Sequence, residues 1–231
     1  MQIAASSMHS DYARLVVQGS KRQAIANTPL ETANLADKVT ISTQARAMAS
    51  HATTALYDTD QGAKPLDIDA YFTPGSKATY SPPDTLPPLL LPSPNNIRML
   101  SRHITAAMPQ FLKENNIPSP PSSITYDTQG QIQLPVDYQY AAAFKQALDQ
   151  HPAMDRQLRT VNALSSHLAE MRKAAPFQVE YAAASSASEQ AAVVQKYSWL
   201  FSQNRQFSQM ALVFDANGTL SVTADGQLLP V

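Results

Sequence analysis

The chain of 231 residues contains no cysteine, six glycines and one tryptophan. Without cysteine it has no disulfide bond, no cysteine-ligated zinc or iron–sulfur cluster, and no thiol nucleophile. The glycines do not cluster as a phosphate-binding loop requires, and no Gly-x-Ser-x-Gly nucleophile motif occurs. The sequence therefore lacks the short motifs that identify nucleotide-binding proteins and many hydrolases.

Charged residues are scarce as well. They make up 15% of the chain, against about 25% in an average globular protein. The formal net charge is −1, and residues 96–231 hold ten basic and ten acidic residues. A protein that binds a phosphate backbone needs an excess of lysine and arginine, so we expect no nucleic-acid partner.

Long hydrophobic runs are also missing. The three leucines at 89–91 are far too few to span a membrane, and prolines flank them. Residues 1–7 do not combine a basic start with an apolar stretch, so we expect no cleaved signal peptide. We expect a protein without a membrane span, located in the cytoplasm or exported without a cleaved signal.

Large side chains are concentrated in the second part of the chain. Five aromatic residues lie before residue 96 and twelve lie in residues 96–231, which predicts that the hydrophobic core forms there. Residues 1–63 are expected to be a mobile N-terminal arm with marginal helices over 7–25 and 42–57. Residues 64–95 hold eight prolines and are expected to be a stiff, extended linker.

Within residues 96–231 the pattern predicts two β-hairpins and four helices. Segments 124–134 and 212–222 alternate apolar and polar residues around an Asp-x-x-Gly turn, as hairpins do. A helix is predicted over 96–115, where Pro109 should kink or split it. The predicted fold is an α+β domain, mainly helical, in which the two hairpins form a small antiparallel sheet.

The other three predicted helices lie between the hairpins. Asp137 is expected to cap a helix over 138–150, which Pro152 ends. The next helix runs over 153–175 and stops at Pro176. Ser186 and Glu189 have the spacing of a capping box, which predicts a last helix running to about residue 208. The predicted core residues are Phe144, Leu158, Val161, Tyr197, Leu200 and Phe214.

Two weak metal-binding patterns are present. His167 and Glu170 lie three residues apart on one predicted helix, but a metal needs further ligands and no second matched pair occurs. Asp215 begins a segment with calcium-loop character, but Gly218 stands at position 4, where an EF-hand loop has its glycine at position 6. We therefore assign no catalytic, cofactor-binding or metal-binding residue and expect no cofactor.

Trp199, the only tryptophan, is the one residue assigned a binding role. If the last helix is regular, Trp199 lies opposite the apolar side formed by Val193, Tyr197, Leu200 and Phe201. Another part of the domain could cover it, since large aromatic side chains are usually buried. If it is exposed, it is expected to anchor a partner protein or a second copy of the chain, because tryptophan is enriched in binding hot spots.

One short segment of the N-terminal part resembles a known family. Asp37, Val39, Ile41, Ser42 and Ala45 follow the pattern Asp-x-Val-x-(Leu/Ile)-Ser-x-x-Ala. It is similar to a segment of bacterial flagellar anti-sigma factors and of bacterial proteins with mobile N-terminal regions. This resemblance implies a bacterial source and an N-terminus that serves as an uncleaved export or docking segment.

The predicted function is that of a non-catalytic interaction or structural protein whose partner is a protein. Two alternatives stay open at the level of sequence. The chain could be a hydrolase-like enzyme with a dispersed active site, because any two carboxylates far apart in sequence can meet in the fold. It could also be a secreted effector whose N-terminal arm is the export signal. A deep pocket with convergent polar groups would favour the enzyme, and an exposed apolar surface would favour the binding protein.

Overall fold

The structure is a computed structural model, and it describes residues 54–73, 75 and 87–231. These residues form an α+β domain of helices and two antiparallel sheets, as predicted. The helix predicted over 7–25, most of the one over 42–57 and the segment 37–45 lie outside the described residues.

Five α-helices and seven strands make up the described part of the chain. The helices are α1 (Ile68–Phe72), α2 (Pro94–Glu114), α3 (Ala141–Gln150), α4 (Pro152–Ala183) and α5 (Ala187–Lys196), followed by a 3-10 turn over Ser198–Phe201. The strands are β1 (Thr54–Thr59), β2 (Gly62–Asp67), β3 (Ser123–Tyr126), β4 (Ile132–Gln133), β5 (Met210–Phe214), β6 (Leu220–Ala224) and β7 (Gln227–Leu228).

The two predicted hairpins join into one antiparallel sheet, in the strand order β4-β3-β5-β6-β7. The junction is the pairing of β3 with β5, in which Ile124 lies opposite Leu212. Both side chains are fully buried, so the apolar faces of the two hairpins form one surface. The alternation in the sequence therefore predicts both the strands and the face of the sheet that the helices cover.

The two Asp-x-x-Gly turns are built in the same way. Asp127 Oδ1 accepts hydrogen bonds from the main-chain N–H groups of Gln129 and Gln131, at 2.9 and 2.8 Å. Asp215 Oδ1 accepts them from Asn217 and Thr219, both at 2.8 Å. In each turn the glycine has a positive φ, 75° at residue 130 and 77° at residue 218, which glycine adopts without steric cost. The repeated motif is thus explained by turn chemistry.

The hydrophobic core lies between the five-stranded sheet and helices α2, α3 and α4. Of the predicted core residues, Phe144, Leu158 and Val161 are fully buried, and Phe214 is 5% exposed. Tyr197 is also buried but lies outside the main core cluster. Leu200 is only partly buried, because it lies in the 3-10 turn rather than in a helix packed on the core.

A further hairpin, β1–β2, forms its own two-stranded sheet and packs onto α2. Tyr57 of β1 is 1% exposed, and burial raises the pKa of its hydroxyl to about 12. Asn96 of α2 is fully buried as well. Its Oδ1 accepts from the N–H of Asp58 at 2.8 Å, and its Nδ2 donates to the carbonyl of Asp58 at 2.7 Å and of Leu91 at 2.9 Å. This amide fixes the hairpin to the first turn of the helix.

The domain therefore includes residues that the sequence assigned to the arm and the linker. Tyr57, Leu66, Ile68, Phe72 and Leu90 all belong to the core cluster. The segment before α2 also makes main-chain contacts with β1 and its turn, since Leu91 N donates to Asp58 O and Asp60 N to Leu89 O, both at 3.0 Å. The domain start predicted at residue 96 differs from this packing. The prolines of this segment predicted an extended linker and not a strand. Pro65 nevertheless lies in the short strand β2, where its side chain is exposed.

Three prolines were expected to begin, end or kink helices, and one of them does so as predicted. Pro152 begins α4, as expected from its fixed φ. The prediction that Pro176 ends this helix is wrong, because α4 continues to Ala183. Pro109 likewise lies inside α2 without splitting it. An internal proline removes one helical hydrogen bond, and in α4 the contacts of the neighbouring Phe177 with three aromatic rings stabilise the next turn.

Two helix limits also differ from prediction. Asp137 does not cap α3, which begins at Ala141 after two turns of irregular chain, with Tyr138 N bonded to Pro135 O and Ala141 N to Tyr138 O. The capping Ser186 does accept from Glu189 N, at 3.2 Å. The helix that it begins ends at Lys196 instead of extending to about residue 208.

Candidate functional site

Trp199 lies in the 3-10 turn that follows α5, and 46% of its surface is exposed. Its indole makes no hydrogen bond and no ring contact within the described part of the chain. Exposure of this kind excludes the alternative in which another part of the described domain covers the ring. Whether Trp199 binds a partner stays a prediction.

Trp199 is one of four exposed aromatic residues in the described ranges, and all four lie between residues 181 and 207. The others are Tyr181, Phe201 and Phe207, which are 39%, 59% and 63% exposed. We call these four residues the aromatic surface. The remaining aromatic residues of the described ranges are buried or half-buried, so aromatic exposure is confined to one stretch of the chain.

Phe177, in the last turns of α4, supports this surface from beneath. Its ring lies 5.5 Å from that of Tyr181, 5.7 Å from that of Tyr197 and 5.4 Å from that of Phe201, centroid to centroid. The contacts to Tyr197 and Phe201 are edge-to-face, the geometry that the aromatic quadrupole favours. The cluster joins the end of α4 to the 3-10 turn without any contribution from the main core.

Glu170 fixes the chain that follows the 3-10 turn. Its carboxylate accepts a hydrogen bond from Arg205, one from the main-chain N–H of Ser208 at 3.1 Å, and one from Lys173 at 3.0 Å. Burial acts to raise the pKa of Glu170, but the donors Arg205, Ser208 and Lys173 outweigh it and lower that pKa to about 2. The guanidinium of Arg205 also lies 4.9 Å above the ring of Phe207. Glu170 thus holds Phe207 in place through Arg205.

A second acidic residue makes similar contacts nearer the C-terminal end of α4. Glu180 of α4 accepts from Lys196 Nζ and from the hydroxyl of Tyr197, at 2.7 and 2.6 Å. The hydrogen bond from Lys196, followed by that from Tyr197, lowers the pKa of Glu180. Both carboxylates near the aromatic surface are therefore paired with cations of the same chain, Glu170 with Lys173 and Arg205 and Glu180 with Lys196.

Glu170 and Asp215, which belong to the two weak metal-binding patterns, are engaged by donors of their own chain. His167 is exposed, and Glu170 is engaged by three donors of its own chain. Asp215 uses its Oδ1 to close a hairpin turn. Within the described ranges, no three His, Asp or Glu side chains form a group able to hold a metal ion.

The strongest geometry for an enzyme lies elsewhere, at Asp69 of α1. Its Oδ1 is 2.8 Å from Nε2 of His103 and 3.3 Å from Nε2 of Gln157. The hydrogen bond from His103 holds the pKa of Asp69 below its usual value. Asp69 and Gln157 line a cleft of about 470 Å³. A His–Asp pair can orient a general base, but in the part of the chain that the structure describes no serine or threonine hydroxyl is hydrogen-bonded to His103.

The sequence could identify only part of the aromatic surface. Trp199 was found because a lone tryptophan on a polar helix face is unusual. Phe201 and Phe207 were missed because a regular helix to residue 208 would have placed them on its buried side. The signal that could have found them is Asn204 with Arg205, a polar pair that interrupts the apolar spacing.

Among the residues that the structure describes, no helix has the length and apolar character needed to cross a bilayer. Comparison of the chain with protein-family models, with curated proteins and with solved structures finds no match.

Proposed function

We propose that this domain is a non-catalytic protein-interaction module whose aromatic surface binds an apolar segment of a partner protein. The observation that carries the proposal is the confinement of every exposed aromatic side chain of the described ranges to residues 181–207. Aromatic side chains are enriched at the centre of protein interfaces, where they supply large contact area at low entropic cost. Apolar surface of this kind is otherwise unfavourable in water.

The charges around the surface favour an apolar partner. Glu170 is paired with Lys173 and Arg205, and Glu180 with Lys196, so a strongly acidic or basic ligand would find no unpaired counter-charge among these groups. A partner that binds here has to remove apolar area from water. The ion pairs of Glu170 and Glu180 beside the aromatic surface would then orient the partner more than they would increase its affinity.

The two residues of the 3-10 turn point to different sides. Successive residues of such a turn are about 120° apart, so Trp199 and Phe201 are separated by about a third of a turn. Phe201 packs on Phe177, whereas Trp199 has no ring contact. A partner can therefore use Trp199 alone or wrap around the turn, and single substitutions distinguish the two modes.

The test is capture followed by titration. The full-length chain, Trp199→Ala and the control Lys145→Ala, an exposed residue of α3, are immobilised and exposed to an extract of the source cells. A partner held by the native chain and by Lys145→Ala but lost with Trp199→Ala is then purified. Calorimetry should show that Trp199→Ala weakens its binding about tenfold or more.

Two results would contradict the proposal. One is a captured protein whose affinity is unchanged by Trp199→Ala, Phe201→Ser and Phe207→Ser together. The other is sedimentation showing that the surface joins two copies of the chain and that Trp199→Ala dissociates them. That second result would assign the surface to self-association.

The resemblance of residues 37–45 to flagellar anti-sigma factors supports one addition to this proposal. A bacterial source and an N-terminal segment that exports or docks the domain are consistent with an interaction module. Deleting residues 1–53 should leave binding at the aromatic surface intact and remove export or localisation.

A further inference from the structure

A cleft lies between α2 and the β6–β7 edge of the sheet, and it shares no residue with the aromatic surface. Its volume is about 490 Å³, within the range of pockets that hold small organic molecules. One wall is α2, from Arg98 to Ala106, and the other is formed by residues 219–222 and 228–231.

The floor of the cleft is apolar. Leu220 and Val222 of β6 are 5% and 2% exposed, and Leu229 is 5% exposed. Leu228 stands at the rim with 67% of its surface open. The apolar floor and rim suit an alkyl chain or another short hydrocarbon body.

Two arginines stand on the helix wall. Arg98 and Arg102 are four residues apart, so their side chains leave α2 on the same face. Arg98 makes one long hydrogen bond, 3.5 Å to Oδ1 of Asn95. Arg102 makes no hydrogen bond or ion pair with any residue that the structure describes, and no acidic side chain lines the cleft. Two like charges one turn apart repel each other unless an anion lies between them.

Two hydroxyl groups on the α2 wall of the cleft, those of Ser101 and Thr105, add a second observation. The hydroxyl of Ser101, a residue 8% exposed, has no hydrogen-bond partner. Thr105 is already engaged, because its Oγ1 accepts from the N–H of Leu220 at 2.9 Å and so ties the helix to the opposite wall. A buried hydroxyl without a partner is costly, and it lies on the wall from which both guanidinium groups emerge.

We propose that this cleft binds a small amphipathic anion, with a carboxylate or phosphate head on Arg98 and Arg102 and a short apolar body on Leu220, Val222 and Leu228. Guanidinium groups bind both kinds of head through paired N–H donors. The head group neutralises the like-charged pair, and the body covers the apolar floor.

The probes are octanoate and octyl phosphate, with octanol and octylamine as controls of equal chain length. Each is titrated, below its micellar concentration, into the full-length chain. Amide chemical shifts are followed by NMR and heats by calorimetry. At least one of the two anions should bind with one-to-one stoichiometry and shift the amides of residues 219–222 and 228, and octanol should bind about tenfold more weakly. The preferred anion identifies the head group.

The double variant Arg98→Gln/Arg102→Gln should lose about tenfold or more in affinity for the anion while its weak affinity for octanol stays unchanged. The unchanged octanol affinity shows that the apolar floor is still folded. Lys113→Gln is the matched control, an exposed cation on the same helix, and should bind like the native chain. Equal affinity for octanol and the anions, shifts confined to residues outside the cleft, full affinity in the double variant, or no binding of either anion would overturn the proposal.

Discussion

The side-chain amide of Asn96 pairs with both main-chain polar groups of Asp58, receiving the N–H at 2.8 Å and donating to the carbonyl at 2.7 Å. An asparagine amide has one acceptor and one donor group side by side, and here they complete the hydrogen bonding of a strand residue as a neighbouring strand would. Helix α2 thus substitutes for a third strand beside β1.

Replacing Asn96 with alanine should destabilise the domain by about 2–4 kcal/mol, because the N–H of Asp58 loses its acceptor and the carbonyls of Asp58 and Leu91 each lose one of their donors. Asn95→Ala is the matched control on the adjacent position of α2. Asn95 donates one exposed hydrogen bond, to Leu56 O at 3.1 Å, so its loss should cost about 1 kcal/mol or less. Urea denaturation measures both. An equal loss of free energy of unfolding in the two variants would show that Asn96 has no special role.

A fragment consisting of residues 96–231 should fail to fold cooperatively, and a fragment consisting of residues 54–231 should fold. The shorter one lacks five buried side chains of the core cluster, Tyr57, Leu66, Ile68, Phe72 and Leu90. Burying them contributes together about 10 kcal/mol, comparable with the whole stability of a domain. Thermal melts followed by circular dichroism test this. Matching melting temperatures for the two fragments would restore the domain start predicted at residue 96.

Leu158→Ala should cost about 2–5 kcal/mol, the range for emptying a buried leucine site. Leu158 is fully buried in α4. Met171→Ala, in the same helix but at a position 56% exposed, should change the free energy of unfolding by no more than about 0.5 kcal/mol. A loss below about 0.5 kcal/mol for Leu158→Ala would place α4 outside the core.

The fluorescence of the chain reports on Trp199 alone, since it is the only tryptophan. We expect red-shifted emission that iodide quenches, because 46% of the residue is exposed. Trp199→Ala should change the free energy of unfolding by no more than about 0.5 kcal/mol, as is usual at exposed sites. Phe177→Ala, which removes the ring that Tyr181, Tyr197 and Phe201 contact, should cost more. A blue-shifted, unquenchable emission would show that Trp199 is covered in solution.

Stability should fall in acid as Glu170 becomes protonated. The folded pKa of Glu170 is lowered to about 2, whereas that of an unfolded glutamate is about 4.3. Between these values the unfolded state binds more protons, so stability rises with pH and the contribution of Glu170 is complete above about pH 4.3. That contribution is lost as the pH falls to about 2.

In Glu170→Gln this pH dependence should be smaller than in the native chain, measured as the difference in urea midpoint between pH 5 and pH 2.5. Glu114→Gln, at an exposed position of α2, serves as the control. Its urea midpoint should change between pH 5 and pH 2.5 as much as that of the native chain. If the urea midpoint of Glu170→Gln also changes as much as that of the native chain, the carboxylate does not stabilise the chain around Arg205.

The local elements with strong turn chemistry were predictable. Asp127 and Asp215 each close a hairpin with hydrogen bonds inside six residues of chain, so the sequence contains the whole cause. The same is true of Pro152 at the start of α4 and of Ser186 at the start of α5. Five of the six predicted core residues are buried for a similar reason, since large apolar side chains with helical or alternating spacing have one side to pack.

What the sequence could not predict depends on contacts between distant residues. The hairpin of Tyr57 is oriented by Asn96, which binds Asp58 from 38 positions further along the chain. The last predicted helix ends at Lys196 because Glu170 and Glu180 of α4 bind Arg205, Ser208 and Tyr197. Trp199 is exposed, which is one of the two alternatives that the sequence left open, and it lies in a 3-10 turn rather than on the polar side of a helix.

Helix α4 has 32 residues, and all its buried ones lie between Met154 and Ala169. At about 1.5 Å per residue the remaining turns reach about 20 Å past the last buried position. None of the residues of α5, which packs against them, is buried. Tyr181, Trp199 and Phe201 therefore lie on the end of α4 or on the turn that packs against it, where the core does not constrain the side chains. Under the proposed function, substitutions there change what the surface binds while the fold is conserved, so binding specificity and fold can evolve separately.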